Sequence, residues 1–313
     1  MHIGVVGVGR VGQASAFAIL ERGLADELSL VDIKPGLAEA VAEELKHAAA
    51  GFKVDVEVHH FERDEDLSGA DVVLICAGTA RPPGVRIPRS ELVKENAAII
   101  RDIAEAVAPR NPGAKFVVVT NPVDAMAALF KKISGADYVI STGNHLDTLR
   151  MKAKLAEELR APVSSVEGYV GGEHGRKMFV LWSTIRVGGR SLEELEAEGI
   201  TVDREEVERY VREVPEGIID VLEATRYGPA AAFRDIVESI VLNMDRVLSV
   251  AAPTRLEGLD WEAFVSVPRR VGMTLGPPML EILTPEERQR LREAAVSIRE
   301  TYTKALEVLG LSE

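Results

Sequence analysis

The feature that most constrains the fold is the glycine-rich segment GVGRVG at residues 7–12, which directly follows a β-branched run from Ile3 to Val6. A helical spacing of apolar residues begins within this segment. A strand, a glycine turn and a helix in this order predict the first unit of a parallel α/β sheet, with a pyrophosphate bound at the helix N-terminus. Gly7 permits the tight turn, Gly9 lets the phosphate approach the backbone, and Gly12 lets helix and strand pack closely.

An acidic residue, Asp32, lies twenty residues beyond Gly12, at the end of a second predicted strand. A carboxylate in that position accepts hydrogen bonds from the adenosine ribose and repels a 2′-phosphate. The two signals together predict an NAD site, while the nearby Lys34 leaves use of NADP open.

Residues 1–143 alternate between short apolar runs and helical patterns, which is typical of a doubly wound parallel sheet. The strands are predicted at Ile3–Val6, Leu28–Ile33, Val54–Val58, Asp71–Ala77, Phe116–Thr120 and Tyr138–Ser141. After residue 143 the pattern changes to long charged helices and fewer strands, with one helix predicted from Ala232 to Val250. We therefore predict an α/β fold with a Rossmann-type dinucleotide-binding domain at 1–143 and an α+β catalytic domain at 144–313.

The composition excludes several other classes of protein. The 313 residues carry 50 acidic and 37 basic side chains, a net charge of −13, which argues against nucleic acid as a partner. No apolar run reaches the ~18 residues of a membrane span. A single cysteine and no Cys/His cluster predict neither a disulfide nor a metal site. We expect a cytoplasmic protein, and the presence of only five Asn and two Gln favours a thermophilic source.

Two segments carry the strongest candidates for chemistry: NHLDTLR at residues 144–150 and GGEHG at residues 171–175. Asp147 and Arg150 are three residues apart, so a helix places them on one face. A buried aspartate can orient the imidazole of His174 and stabilise its cationic form, and an arginine can clamp a carboxylate. The neighbours of the histidine, Glu173 and Arg176, are interpreted as surface loop residues.

A third segment, residues 77–90, joins the fourth strand to its helix and contains three arginines and three prolines. It follows the carboxyl end of a parallel strand, where this architecture binds ligands. Gly78 and Gly84 are candidate hinges of a lid that closes its arginines over an anionic substrate and excludes water.

These segments, together with TNP at residues 120–122, resemble the lactate/malate dehydrogenases in content and in order. The resemblance is greatest to the lactate-dehydrogenase-like malate dehydrogenases of archaea and bacteria, and it weakens after about Ala251. It implies a Rossmann-type fold, NAD as the cofactor and a small 2-hydroxy acid as the substrate.

The resemblance also implies roles for individual residues. His174 is similar to the family's proton donor and acceptor, Asp147 to the residue that orients it, and Arg150 to the clamp on the substrate carboxylate. Arg89 resembles the lid arginine that polarises the carbonyl. The lid is two residues longer here than in the common form, which leaves Arg86 as the alternative for that role.

Asn121 and Thr225 are similar to residues of the family's substrate pocket. The expected cofactor contacts are Gly7, Gly9, Arg10, Gly12, Asp32, Ala77, Gly78, Asn96 and Asn121.

The residue that distinguishes substrates within the family is Arg81, two positions before a Pro-Gly pair. The family typically has glutamine there in lactate enzymes and arginine in malate enzymes. A guanidinium pairs with the second carboxylate of oxaloacetate, whereas pyruvate would leave that charge uncompensated. The resemblance therefore implies interconversion of malate and oxaloacetate within the tricarboxylic acid cycle, with a lactate or other 2-hydroxyacid dehydrogenase as the alternative.

The resemblance further implies a homo-oligomer, either a dimer or a homotetramer. Val11–Leu24 and Ala232–Val250 are the candidate interface helices, and packing of both within one chain is the alternative.

Overall fold

The computed structural model describes residues 1–79 and 89–312, without the side chains of residues 89–91. Its strands are β1 (His2–Val6), β2 (Glu27–Val31), β3 (Glu57–Phe61), β4 (Val72–Ile75), β5 (Lys115–Val118), β6 (Val139–Ser141), β7 (Val166–Gly172), β8 (Met178–Val187), β9 (Arg190–Ser191), β10 (Arg246–Arg255), β11 (Glu262–Val271) and β12 (Leu275–Pro278). Its α-helices are α1 (Arg10–Glu21), α2 (Leu37–Phe52), α3 (Arg89–Val107), α4 (Val123–Ser134), α5 (His145–Glu158), α6 (Leu192–Ala197), α7 (Arg204–Leu222), α8 (Tyr227–Val241) and α9 (Pro285–Leu309).

The strands of the described residues join in one sheet, in the order β3-β2-β1-β4-β5-β6-β10-β11-β7-β8-β9, with β12 paired to β11. The first six strands pair with one another in parallel, and every pairing from β6–β10 onward is antiparallel. The predicted doubly wound parallel sheet with a second α+β region is therefore confirmed. The strand order reverses beside β1, and the carboxyl ends of β1 and β4 meet there, which is where such sheets bind ligands.

Helices cover both faces of the parallel part of the sheet, whose central strands β1, β4, β5 and β6 are buried along nearly their whole length. On one face α3, α4 and α9 pack together over a core that includes Phe116 and Phe130. On the other face α1, α2 and α8 enclose a second core around Ile19 and Leu30. A third core lies between α5, α7 and the strands β7 and β8.

Two elements differ by three residues or more at both ends from their sequence-based predictions. The single helix predicted from Ala232 to Val250 is a helix that ends at Val241, followed by β10. Asn243 and Asp245 between them have positive φ angles of 47° and 51°, a conformation that ends a helix. The third strand begins at Glu57, three residues later than predicted, because the backbone nitrogen of Val54 still bonds the carbonyl oxygen of Ala49 at the end of α2.

The two candidate interface helices contact each other within the chain. The first, α1, packs along α8, and Arg22 Nε donates to the Glu238 carboxylate at 2.6 Å across this contact. The intramolecular alternative therefore accounts for these faces of both helices.

Candidate active site

The candidate acid/base residue, His174, lies in the short loop between β7 and β8. Glycines with positive φ stand on both sides of it: Gly172 at 96° and Gly175 at 136°. A Cβ at Gly172 would lie 2.4 Å from the carbonyl oxygen of Lys177, so only glycine fits there. The loop can therefore reverse direction tightly and direct the histidine back toward α5.

The histidine meets the predicted aspartate. Asp147 lies in the first turn of α5 and is fully buried, and its Oδ2 is 2.7 Å from Nδ1 of His174. Its other oxygen, Oδ1, accepts a hydrogen bond of 2.8 Å from Nη1 of Arg150, one turn later on the same helix face. The three residues thus form one connected group, and the His174 side chain keeps 25% of its surface exposed.

The electrostatics of this group favour two cations around one carboxylate. Burial raises the pKa of the Asp147 carboxyl, but the charges and hydrogen bonds of His174 and Arg150 outweigh burial and hold that pKa below its usual range. Burial also disfavours the imidazolium of His174, but Asp147 outweighs that effect, and the pKa of His174 is raised above 6.5. A histidine that binds a proton this readily, in partial contact with solvent, is suited to proton transfer.

The glycine-rich turn has the geometry that its spacing predicts. Gly7 has a φ of 86°, and a Cβ there would lie 2.3 Å from the backbone nitrogen of Ala77. A Cβ on Gly12 would lie 2.0 Å from the carbonyl oxygen of Gly7, so helix and turn touch directly. Gly9 instead has no atom within 4 Å of its Cβ position, which leaves open space beside the backbone at the start of α1. The turn therefore fits a dinucleotide pyrophosphate.

The acid at the end of β2 is tied to this turn. Asp32 Oδ2 accepts a hydrogen bond of 2.9 Å from the backbone nitrogen of Val8, and Oδ1 accepts one of 3.0 Å from that of Lys34. The carboxylate remains partly exposed and has further lone pairs for ribose hydroxyls. Ala77 and Gly78 follow β4 on the adjoining side of the turn, with Gly78 exposed.

Arg10 is half exposed and forms an ion pair with a residue from a distant part of the chain. Its guanidinium contacts the carboxylate of Glu223, and Nη1 donates to the carbonyl oxygen of the same residue at 3.2 Å. Glu223 ends α7 with a φ of 62°, two residues before the partly buried Thr225. This contact connects the glycine-rich turn with the segment predicted to line the substrate pocket.

The two predicted asparagines differ in exposure. Asn121 is exposed at the end of β5 and is joined to Pro122 by a cis peptide bond. Asn96, on α3, is 1% exposed, and its amide bonds only backbone groups among the described residues: the N–H and carbonyl of Thr79 and the carbonyl of Asn121. Asn96 therefore holds together the two strand ends that carry Gly78 and Asn121.

Several predicted residues lie outside the described part of the chain. Arg81 and Arg86 fall between residues 79 and 89, and the side chain of Arg89 is not among those described, although its backbone begins α3. The expected lid and its arginines therefore remain predictions.

Two acidic residues near His174 have positions that the sequence does not predict. Glu173 is 6% exposed, so its interpretation as a surface loop residue is wrong, and Ser297 Oγ on α9 lies 3.1 Å from its carboxylate. Asp124 is 2% exposed and accepts a hydrogen bond of 2.8 Å from the backbone nitrogen of His174. Its signal in the sequence is a single charge in an otherwise apolar run at the start of a helix, VDAMAALF. Arg176 is exposed, as expected.

Neither a metal centre nor a membrane-spanning helix occurs within residues 1–79 and 89–312. No group of three or more His, Cys, Asp or Glu side chains is arranged to hold a metal ion there. None of the helices in that part of the chain combines the length and the apolar composition needed to cross a bilayer.

The structure combines a turn that fits a pyrophosphate with a histidine whose proton affinity is set by a buried carboxylate. Hydride transfer with a nicotinamide cofactor needs both features from a protein. The chain is an NAD-dependent oxidoreductase. Sequence models of two domains cover most of its length. The lactate/malate dehydrogenase NAD-binding domain matches residues 1–139, and the α/β C-terminal domain of the same enzymes matches residues 144–309. The chain belongs to the lactate/malate dehydrogenase family.

Individual relatives agree with this membership. A malate dehydrogenase of Sulfolobus acidocaldarius is 40% identical over 309 residues, covering 99% of this chain and 98% of the relative. An L-lactate dehydrogenase of Thermus aquaticus is 36% identical and covers 94% of this chain and 96% of its own. Among solved structures, a lactate dehydrogenase of Cryptosporidium parvum in complex with lactic acid and NAD superposes with a TM-score of 0.90 at 28% identity, with 97% of each chain covered.

Proposed function

We propose that the protein is an NAD-dependent malate dehydrogenase that interconverts malate and oxaloacetate. The observation that carries this proposal is the 2.7 Å contact between His174 Nδ1 and the buried Asp147 carboxylate. That bond occupies one ring nitrogen, so Nε2 is left to exchange a proton with a substrate oxygen. Arg81 in the sequence and the 40% identical malate dehydrogenase support malate over lactate.

The chain's part in oxidation is the removal of a proton. Neutral His174 accepts the hydroxyl proton of malate at Nε2, and Asp147 stabilises the imidazolium that results. NAD, when bound, supplies the acceptor for the hydride that leaves the hydroxyl-bearing carbon. In reduction, the imidazolium of His174 returns its proton to the carbonyl oxygen of oxaloacetate.

Three arginines share the binding of the substrate in this proposal. Arg150 grips the carboxylate beside the reacting carbon, and its five N–H donors suffice for this in addition to the bond from Nη1 to Asp147. Arg81 pairs with the second carboxylate, and Arg89 stabilises charge on the reacting oxygen, with Arg86 as the alternative for the last role. Asn121 and Thr225 complete the pocket.

The cofactor is proposed to lie along the carboxyl ends of β1, β2 and β4. The open backbone at Gly9 receives the pyrophosphate at the start of α1, with Arg10 beside it, and Asp32 binds the adenosine ribose. Ala77, Gly78 and Asn121 border the same cleft. The proposed boundary between the dinucleotide domain and the catalytic domain falls at residue 143, and the two matched domain ranges support it.

The test is steady-state oxidation of NADH with oxaloacetate and with pyruvate, comparing the wild type with Arg81→Gln. We expect the wild type to prefer oxaloacetate, and the variant to lose about 10- to 100-fold of that preference, because a buried substrate carboxylate loses its charged partner. Arg176→Gln is the matched control, since Arg176 is an exposed arginine next to the histidine loop. A wild-type preference for pyruvate would instead support the lactate alternative.

The proposal extends to the protein's assembly and setting: a homo-oligomer, dimer or tetramer, acting in the tricarboxylic acid cycle of the cytoplasm of a thermophile. Exposed apolar side chains support self-association, among them Phe17 and Phe52, whose rings make an edge-on contact at 5.4 Å. The scarcity of Asn and Gln supports the thermophilic source. Light scattering after gel filtration measures the subunit number directly.

A further inference from the structure

A second buried carboxylate, outside the proposed catalytic set, contacts the histidine loop. Asp124 lies in the first turn of α4, close to the end of β5, and is 2% exposed. Its Oδ2 accepts the 2.8 Å hydrogen bond from the backbone nitrogen of His174. Asp147 thus holds the ring of the histidine from α5, while Asp124 holds its main chain from α4.

The other oxygen of Asp124 connects to the start of α5. Ser141 Oγ donates a hydrogen bond of 2.6 Å to Asp124 Oδ1 and accepts one of 3.0 Å from the backbone nitrogen of Gly143. Gly143 lies two residues before α5, whose first turn carries Asp147. One buried carboxylate therefore joins the loop that carries the histidine to the turn that leads to its aspartate partner.

The loop needs such a contact because its own backbone is permissive. Glycines precede and follow the Glu173–His174 pair, and glycine backbones lose more conformational freedom on ordering than any other residue. A hydrogen bond to a charged acceptor is about twice as strong as a neutral one, so a carboxylate restrains the His174 amide well. A misplacement of about 1 Å in a proton-transfer group can reduce a rate about 100-fold.

Asp124 also acts on the charge of the histidine. The charged groups that act on the Asp124 carboxylate are His174 and Glu173. The charged groups that act on the His174 imidazole are Asp147, Asp124 and Arg150. Burial raises the pKa of Asp124 to about 6, against the hydrogen bonds from Ser141 and the His174 backbone. Above that pH its negative charge adds to that of Asp147 in favouring the imidazolium.

We propose that Asp124 is a positioning residue for the acid/base histidine, which fixes the His174 backbone and strengthens proton binding on its ring without touching the substrate. The inference rests on the proposed role of His174 in malate oxidation and oxaloacetate reduction. It assigns to Asp124 a role in chemistry that is separate from folding.

The test compares Asp124→Asn with wild type, and Asp137→Asn serves as the control. Asp137 is exposed three residues beyond the end of α4, so the control makes the same charge change away from the site. We expect Asp124→Asn to lower kcat for oxaloacetate reduction about 10- to 100-fold. We also expect the alkaline limb of the pH–rate profile for oxaloacetate reduction to move to lower pH, because the imidazolium of His174 loses a favourable negative charge nearby. NADH binding by fluorescence titration stays unchanged, and Asp137→Asn matches wild type throughout.

A purely structural role gives a different result. If kcat falls by the same factor at every pH and the alkaline limb stays at the wild-type pH, the proposal is overturned. An unchanged kcat would also overturn it. Ser141→Ala provides a milder variant if Asp124→Asn does not fold. It removes one donor from the carboxylate and is expected to move the limb in the same direction by a smaller amount, so a superimposed profile would also overturn the proposal.

A readout without turnover separates this inference from the proposed function. NMR titration of the imidazole resonances, with His174 assigned by its absence in His174→Gln, measures the proton affinity of His174 directly. We expect the titration to move to lower pH in Asp124→Asn and not in Asp137→Asn. If the wild type reduces neither oxaloacetate nor pyruvate, the proposed function fails, while this titration still decides whether Asp124 acts on His174.

Discussion

The turn at residues 7–12 and the loop at residues 171–175 both rely on glycines with positive φ, but they are held in place differently. In the turn, Gly12 closes directly on the carbonyl of Gly7, a contact between residues only five positions apart. In the loop, His174 is oriented by Asp147 and Asp124, which lie 27 and 50 residues away along the chain. Binding of the pyrophosphate should therefore respond mainly to substitutions inside the turn, and proton transfer to substitutions in several distant segments.

The largest expected effect separates chemistry from cofactor binding. We expect His174→Asn to lower kcat in both directions by about 10²- to 10⁴-fold, since general acid/base catalysis contributes that much. NADH affinity, measured by fluorescence titration, should stay at the wild-type value because the glycine turn does not involve the loop. A parallel loss of NADH affinity would show that the two regions are not independent.

A smaller effect is expected from substitutions within the turn, where Gly12→Ala and Gly9→Ala form a matched pair. The added methyl group at Gly12 collides with the Gly7 carbonyl at 2.0 Å, so thermal unfolding should show a loss of about 1–3 kcal/mol together with weaker NADH binding. At Gly9 the methyl group meets open space, so stability should stay near wild type while NADH binding weakens. Undiminished NADH binding in Gly9→Ala would place the pyrophosphate elsewhere.

The smallest expected effect is a displacement of pH profiles between the two reaction directions. Reduction needs protonated His174, so its rate should fall as pH rises through the His174 pKa, which Asp147 raises above 6.5 against the effect of burial. Oxidation needs the neutral ring, and its rate should rise over the same range. Measured kcat/KM profiles that coincide in both directions would argue against His174 as the acid/base.

Much of the parallel sheet could be predicted from the sequence, because its strands are continuous apolar runs bounded by glycine and polar residues. Asp71–Ala77 and Phe116–Thr120 contain the observed β4 and all but one residue of β5. The secondary structure after Ala232 could not be predicted in the same way, since an apolar run such as Val247–Val250 is compatible with a helix or a strand. Only the break at Asn243 and Asp245, together with pairing to β11, makes it a strand.

The candidate site also contains some contacts that the sequence predicts and others that it does not. Asp147 and Arg150 could be paired from their spacing on one helix, and the structure shows the contact at 2.8 Å. Glu173 and Asp124 carried no decisive signal, because an acidic residue in a loop or at the start of a helix is usually solvated. Their burial results from packing against α9 and against the His174 loop, which no local pattern records.

The sequence by itself determined the class of fold, the dinucleotide turn and the identity of the acid/base candidates. The turn follows from residue type and spacing within residues 7–12, and the class of fold follows from the alternation of strand and helix patterns over residues 1–143. The acid/base candidates follow from their motifs together with the family resemblance. The tertiary structure alone decided where α8 ends and β10 begins, which carboxylates surround His174, and how the pKa values of Asp124 and Asp147 diverge. Burial and charge pairing depend on which distant segments meet, and that is a property of the whole packed chain.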